Sequence, residues 1–342
     1  MNLAMKIKTY ILGLLAMAAL LGFQSCDDES YDVVGNPDYF IYFPAKGQLN
    51  DKSATVEAFT VVSTPIGYFG DEVFAKFGVS VTRPMNEDVT VTAVIDNSLV
   101  ETFNTANGTD YKTCSVAVLQ KASVNISNGA YVSSDSIEVI IPEEQYSSMT
   151  EMGTYLIPVR LETVTKGKVA ATRNLAYVVV NLEERLIKKD ASSSDIKGTK
   201  VTDRSAWTAI TTDTSVDESA IASIFDGDAD TGVQFSNQEN PTLTIDMQTA
   251  NKVTALYFKN SSSSWGSYYN LSTIGVELSA DGNDWIEAEP ASPVIENNTD
   301  QYIVFYGAVE SRYIRLSLQW INGSGSWGYY YRYLNELDVY AE

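Results

Sequence analysis

The 342-residue chain has no histidine, and its two cysteines stand far apart at Cys26 and Cys114. Without histidine the Ser-His and Cys-His nucleophile pairs cannot be built, nor the usual Cys/His zinc sites. No Gly-x-Ser-x-Gly elbow is present either. Positive charge is scarce, with 23 Lys and Arg against 44 Asp and Glu and a formal net charge of −21. A surface this acidic repels nucleic acid and anionic lipid heads. No stretch sustains the apolar spacing of an amphipathic helix, and no apolar run reaches the length of a membrane-spanning one.

The longest apolar run, from Tyr10 to Phe23, follows Lys6 and Lys8 and precedes Gln24-Ser25-Cys26. A basic start, a short apolar centre and a small residue before the break form a secretory signal. Its end at a cysteine predicts lipoprotein processing, with residues 1–25 removed and a lipid on Cys26. Phe23 and Gln24 depart from the strict lipobox and resemble the looser one of Bacteroidetes bacteria. The acidic run Asp27-Asp28-Glu29-Ser30 resembles the signal that sends such lipoproteins to the outer face of the outer membrane. Several acyl chains, at about 0.8 kcal/mol per buried CH₂, would anchor the chain stably. An ordinary cleaved signal peptide is the competing reading. Cys114 then remains as the one thiol not committed to lipid, which excludes an intramolecular disulfide and predicts a small buried strand residue.

The rest alternates with period two. Ile157, Val159 and Leu161 share one face of Leu156–Leu161, and Val89, Val91 and Ala93 share one face of Val89–Ala93. This predicts an all-β chain, and about 310 residues are too many for one sandwich. Lys188 to Asp195 is polar and lacks apolar periodicity, and all five tryptophans lie after it. The expected organisation is a lipid anchor and immunoglobulin-like β-sandwich over residues 26–187, a linker over 188–199 and a second sandwich over 200–342. In the first part Asp38–Pro44, Tyr155–Leu161 and Tyr177–Val180 resemble an uncharacterised β-sandwich family found directly after the anchor in Bacteroidetes surface proteins.

The second part carries Ser223-Ile-Phe-Asp-Gly-Asp-Ala-Asp-Thr231 and, far downstream, Leu334-Asn-Glu-Leu-Asp-Val-Tyr340. Alternating carboxylates, a threonine and a distant glutamate are hard oxygen ligands of the kind Ca²⁺ selects. An EF-hand does not fit: counted from Asp226, the sixth and twelfth positions are Thr231 and Asn237, where Gly and Glu are required. Between the two segments lie Pro241–Met247, the hairpin pattern Ile274-Gly-Val-Glu-Leu-Ser-Ala-Asp-Gly-Asn-Asp-Trp285 and Ser311-Arg-Tyr-Ile-Arg-Leu316. Taken in order, these five segments resemble the coagulation-factor five/eight type C family, also called discoidin or galactose-binding-like domains. The family has Trp two residues after the threonine, where this chain has Val233. The resemblance implies a discoidin-type jelly-roll β-sandwich. It also implies a structural Ca²⁺ held by the Ser223 carbonyl, the Asp226 carboxylate, the Asp228 carbonyl, Thr231 through carbonyl and hydroxyl, and the Glu336 carboxylate, with the Asn335 carbonyl beside it. A solvated Asp-rich turn, with Glu336 incidental, is the competing reading.

Two Ser/Gly-rich stretches, 261–269 and 322–332, share a Trp-Gly-(Ser)-Tyr-Tyr core. Trp265, Tyr268, Tyr269, Trp327, Tyr329 and Tyr330 offer flat apolar faces with polar tips, suited to the C–H face of a pyranose. In the competing reading Tyr329 to Tyr333 continue a strand, with Tyr331 and Tyr333 packed inside. Trp207, Trp285 and Trp320 each abut a predicted strand and are expected in the core. No carboxylate pair sits in a recognisable glycosidase motif, and a (β/α)₈ barrel of about 250 residues does not fit beside two sandwiches. The resulting expectation is a non-catalytic, cell-surface lipoprotein on the outer membrane, facing the exterior. It captures a glycan, an oligo- or polysaccharide, for a polysaccharide-utilisation system and neighbours outer-membrane transport proteins. A protein–protein adhesion or assembly module is the first alternative and an unusual glycosidase the second.

Overall fold

The computed structural model describes residues 38–50, 52–260, 270–297, 299–321 and 332–342. The expected signal segment, the lipidation residue Cys26 and all six aromatic platform residues lie outside them. Within them the chain is all-β, with one hydrophobic core drawn from residues between Ile41 and Leu182 and another from residues between Leu186 and Val339.

The first core fills the space between two sheets. One runs in the order Lys168–Val169, Phe40–Tyr42, Phe74–Val81, Val132–Ile140, Val118–Lys121. The other runs Ser123–Ile126, Val89–Ile95, Gly153–Val164, Leu175–Glu184, Thr55–Thr64, Gly67–Gly70. Alternation decides which side chains turn inward. Val89, Val91 and Ala93 are buried, as are Ile157, Val159 and Leu161, while Thr90 faces water. Cys114 is buried in this core, just beyond the two-residue strand Lys112–Thr113 rather than within a strand.

One helix escaped the periodicity. Leu99–Asn107 is α-helical, closed at its C-terminus by Gly108 in the left-handed region, whose N–H donates to Asn104 O at 2.8 Å. Its apolar stripe is minimal. Val100 alone is buried, and Phe103 stacks on Tyr111 and leans on Tyr177, with centroids 5.8 and 5.4 Å away.

The second core lies within a larger sheet ordered Thr199–Lys200, Glu336–Ala341, Thr242–Lys259, Asp300–Trp320, Leu271–Ser279, Ile286–Glu287. Its two longest strands, Thr242–Lys259 and Asp300–Trp320, pair antiparallel with register shifts between Asp246 and Asn251 and between Val253 and Ala255. At the first shift Gln248 takes φ 67°, and the buried alternation of Leu243, Ile245 and Met247 gives way to an exposed bend. Such bulges let one strand turn a corner and serve both layers of a sandwich. The three strand motifs singled out in the sequence fall here, with Ile274, Val276, Leu278, Ile314 and Leu316 in the core.

Of the described tryptophans, Trp320 is buried and Trp207 meets Phe225 edge-on at 5.4 Å. Trp285 is not a core residue. It sits half-buried at the end of the Ser279–Trp285 turn, its Nε1 donating to Gly282 O at 3.2 Å, with the Arg315 guanidinium 3.8 Å over its ring. A turn-end ring that an arginine can cover does not have to enter the core. Tyr333 is half-buried, its hydroxyl donating to Gln234 Oε1, and Tyr331 lies outside the described residues.

The expected linker is not a free connection. Leu186 and Ile187 already belong to the second core. Lys188 N donates to Val304 O, and Tyr306 N to Leu186 O. Ala191 packs on Ala255 and Val304, and the N–H and hydroxyl of Ser193 both bind Glu296. Small residues let this backbone lie close against the sheet, so docking left no apolar period for the sequence to display. Where the cores meet, the Glu289 carboxylate accepts from Leu186 N at 2.9 Å and Ile187 N at 3.0 Å, and Arg185 pairs with it at 3.4 Å.

Candidate functional site

The loop 223–231 is shaped by its own short polar side chains. Asp226 accepts from Asp228 N at 2.8 Å, Asp228 accepts from Asp230 N at 3.0 Å, and Gly227 takes φ 83°. These are Asx turns around a residue that must be left-handed. They turn oxygens inward. The Thr231 hydroxyl lies 2.8 Å from Asp226 Oδ2, 2.9 Å from Asp228 O and 3.4 Å from Ser223 O.

Glu336 reaches the loop from the last strand, its Oε2 accepting from Gly227 N at 3.2 Å. The structure therefore brings Ser223, Asp226, Asp228, Thr231 and Glu336 to one place. Asn335 joins them through its side chain: Nδ2 donates to Ala229 O at 2.9 Å, while the buried Oδ1 meets no donor.

This cluster has more acceptors than protons. One hydroxyl hydrogen cannot satisfy three oxygens at once, whereas a hard cation takes six to eight oxygen ligands. Among the described residues no three acidic, histidine or cysteine side chains form a metal-binding group. A cation here would have Asp226 and Glu336 as its charged ligands, beside the Ser223 and Asp228 carbonyls and the Thr231 hydroxyl. The donor set fits Ca²⁺ on that count.

Sequence reasoning missed the other side of Glu336. Arg204 Nη1 donates to Glu336 Oε1 at 2.7 Å, to Asp338 Oδ1 at 2.8 Å and to Leu337 O at 3.2 Å. Lys200 Nζ holds the second Asp338 oxygen at 2.6 Å. Glu336 and Asp338 alternate with Leu337 and Val339 on one strand, so both acids share the face turned away from the core. Burial pushes the Glu336 carboxyl above the usual carboxylate range, with the Arg204 contacts working against that rise. Arg204 and Glu336 are 132 positions apart, and no local pattern announces their pairing.

The same strand end carries the bases of the two aromatic stretches. Asn335 N donates to Lys259 O, directly before Asn260, where residues 261–269 continue. Ile321 N donates to Asn270 O at 3.0 Å, so the residue after one stretch is joined to the residue before the other. A buried polar knot backs these ends. Gln301 Oε1 accepts from Asn260 Nδ2 and Leu271 N, and Gln301 Nε2 donates to Leu271 O. Trp320 Nε1 donates to Tyr333 O at 2.9 Å, and Arg332 donates to Gln238 O. The oxygen-lined loop and the bases of both stretches thus lie side by side.

Residues 201–331 match the family model of the F5/8 type C domain, and residues 36–168 match a family model described as an N-terminal domain. No curated protein matches the chain. Among solved structures, a two-domain protein of unknown function from Bacteroides fragilis is 18% identical, covering 92% of this chain and 98% of its own, with a TM-score of 0.44. The family 32 CBM of Clostridium perfringens NanJ, in complex with galactose, is 19% identical, covering 42% of this chain and 99% of its own, with a TM-score of 0.33. A C. perfringens CBM32 domain in complex with GalNAc-β-1,3-galactose is 15% identical, covering 42% of this chain and 100% of its own, also at 0.33.

Proposed function

We propose that this chain, which carries an F5/8 type C domain over residues 201–331, is a carbohydrate-binding protein that captures a glycan without transforming it. The observation that carries the reading is the joined base of the two Trp-Gly-(Ser)-Tyr-Tyr stretches at one end of that domain, through Ile321 N and Asn270 O. Two stretches rooted together can offer their rings to one ligand. Trp265, Tyr268, Tyr269, Trp327, Tyr329 and Tyr330 are the proposed platform, stacking on sugar C–H faces. Binding by stacking and a few hydrogen bonds is expected to be weak, on the order of micromolar to millimolar.

Calcium held by Ser223, Asp226, Asp228, Thr231 and Glu336 has a structural part in this proposal. It clamps the loop to the strand end beside the platform base and leaves the sugar to the aromatic rings. A lipid on Cys26 would tether the chain to the outer membrane, facing the exterior, beside the transport proteins of a polysaccharide-utilisation system.

Glycan-array binding of the wild type beside Trp265→Ala and Trp327→Ala tests the reading. Loss of binding in both variants supports it, and wild-type binding in both removes the platform. Release of reducing ends from a glycan panel by purified protein would overturn the non-catalytic part. Retention by an outer-membrane partner, with no glycan bound, would favour an assembly module.

A further inference from the structure

We infer that Arg204 is a built-in counter-cation of the oxygen-lined loop and sets how tightly that loop takes a divalent cation. The inference rests on the calcium reading above and concerns a residue to which that reading gives no part.

Glu336 is shared between two demands. Its Oε2 points to the loop, at Gly227 N, and its Oε1 is held by Arg204. The guanidinium also holds Asp338, and all three side chains are at most 8% exposed. Its Nη2 lies 3.7 Å from where a Cβ on Gly227 would stand, so the positive charge reaches the loop itself. Two acids on one strand face, both withdrawn from water, would repel each other strongly without it. Among the described residues Lys200 pairs with Asp338 and not with Glu336.

This geometry has two consequences. In the absence of metal, Arg204 supplies the positive charge that lets Glu336 stay buried and aimed at the loop, so the site is assembled before a cation arrives. When a cation enters, it shares the Glu336 carboxylate with a guanidinium and is repelled by it. Arg204 therefore stabilises the metal-free fold and weakens metal binding together. Replacing it with Met keeps much of the stem and removes charge and donors. The two acids are then short of positive charge, and a divalent ion is the group that can supply it.

The test is calorimetric titration of the full chain with calcium chloride after chelation, with melting curves at each calcium level. Arg204→Met is expected to melt below wild type without calcium, to bind calcium at least about tenfold more tightly, and to close the melting gap as calcium rises. Arg204→Lys, which keeps the charge, is expected to stay close to wild-type affinity. If Arg204→Met does not fold without calcium, the comparison passes to Arg204→Met/Asp338→Asn against Asp338→Asn. There one positive and one negative charge are removed together, so the local net charge equals that of the wild type, and the double variant is expected to bind more tightly. An Arg204→Met affinity equal to or weaker than wild type, or a double variant no tighter than Asp338→Asn, overturns the inference. Wild-type binding that Asp226→Asn abolishes would leave the calcium reading standing in that case. A wild type that takes no calcium would overturn both.

Discussion

The ring of Phe69 covers Gly307 so closely that a Cβ on the glycine would overlap it. Phe69 belongs to the edge strand Gly67–Gly70 of the first sandwich, and Gly307 to the longest strand of the second. Tyr306 completes the contact, its centroid 6.5 Å from that of Phe69. An exposed sheet edge is a liability, and here the second sandwich meets one through the Phe69 ring.

Gly307→Val should therefore act on the junction rather than on either core. The expected cost is about 1–3 kcal/mol, typical of overpacking, read as a lower melting midpoint in the full chain. Phe69→Ala in the Gly307→Val background should recover part of the loss. Additive losses would show that the two residues do not share a contact.

Calcium should raise the melting temperature, by an amount corresponding to about 2.7 kcal/mol when it is present at 100 times its Kd. Asp226→Asn should remove most of that increment, and a chelator should return the wild type to its metal-free midpoint. Because the loop adjoins the bases of both aromatic stretches through Asn335 and Lys259, chelation should also weaken glycan binding. An affinity indifferent to calcium would place the clamp and the platform apart.

Asp213 gives a pH-dependent signature. Burial alone would raise its carboxyl, but hydrogen bonds from Ser215, Gln238 and Asn237 outweigh that and hold it below the ordinary value. A depressed folded-state pKa contributes stability above the unfolded value of about 3.9 and loses it as pH falls through the folded one. Asp213→Asn should destabilise the protein at neutral pH by about 1.5–3 kcal/mol, since the hydrogen bonds to a buried carboxylate lose their charge assistance. The difference from wild type should narrow below about pH 4. A gap that stays constant into that range would contradict the assignment.

Gln301→Leu should cost about 2–4 kcal/mol, because Leu271 N–H and Asn260 would lose their buried partner. The same change should weaken glycan binding by disturbing the strand ends that carry both aromatic stretches. Chemical denaturation and glycan titration on one preparation would separate the two effects. A stable variant with unaltered binding would show that the knot is not needed.

Much of the second sandwich was legible because its signals are local. The Asx turns of the Asp226–Thr231 loop, the Asp281-Gly282 turn with its φ of 80°, and the alternation of Leu243, Ile245 and Met247 all act within a few residues. The helix Leu99–Asn107 was illegible because one buried valine and a phenylalanine do not make a detectable stripe. The docking of residues 188–199 was illegible for a related reason. Small polar residues dock by backbone hydrogen bonds and close approach, and neither leaves a hydropathy pattern.

By itself the sequence determined the all-β class, the oxygen-rich loop with its distant glutamate, and the composition of the two aromatic stretches. All of these depend on side-chain period or on turns a few residues long. Tertiary structure alone decided that Arg204 shares Glu336 with the loop, that Phe69 closes over Gly307, and that the bases of the two aromatic stretches are joined. Each unites residues from opposite ends of long connections. Such meetings follow from strand order and register across the whole sheet, which no short window of sequence contains.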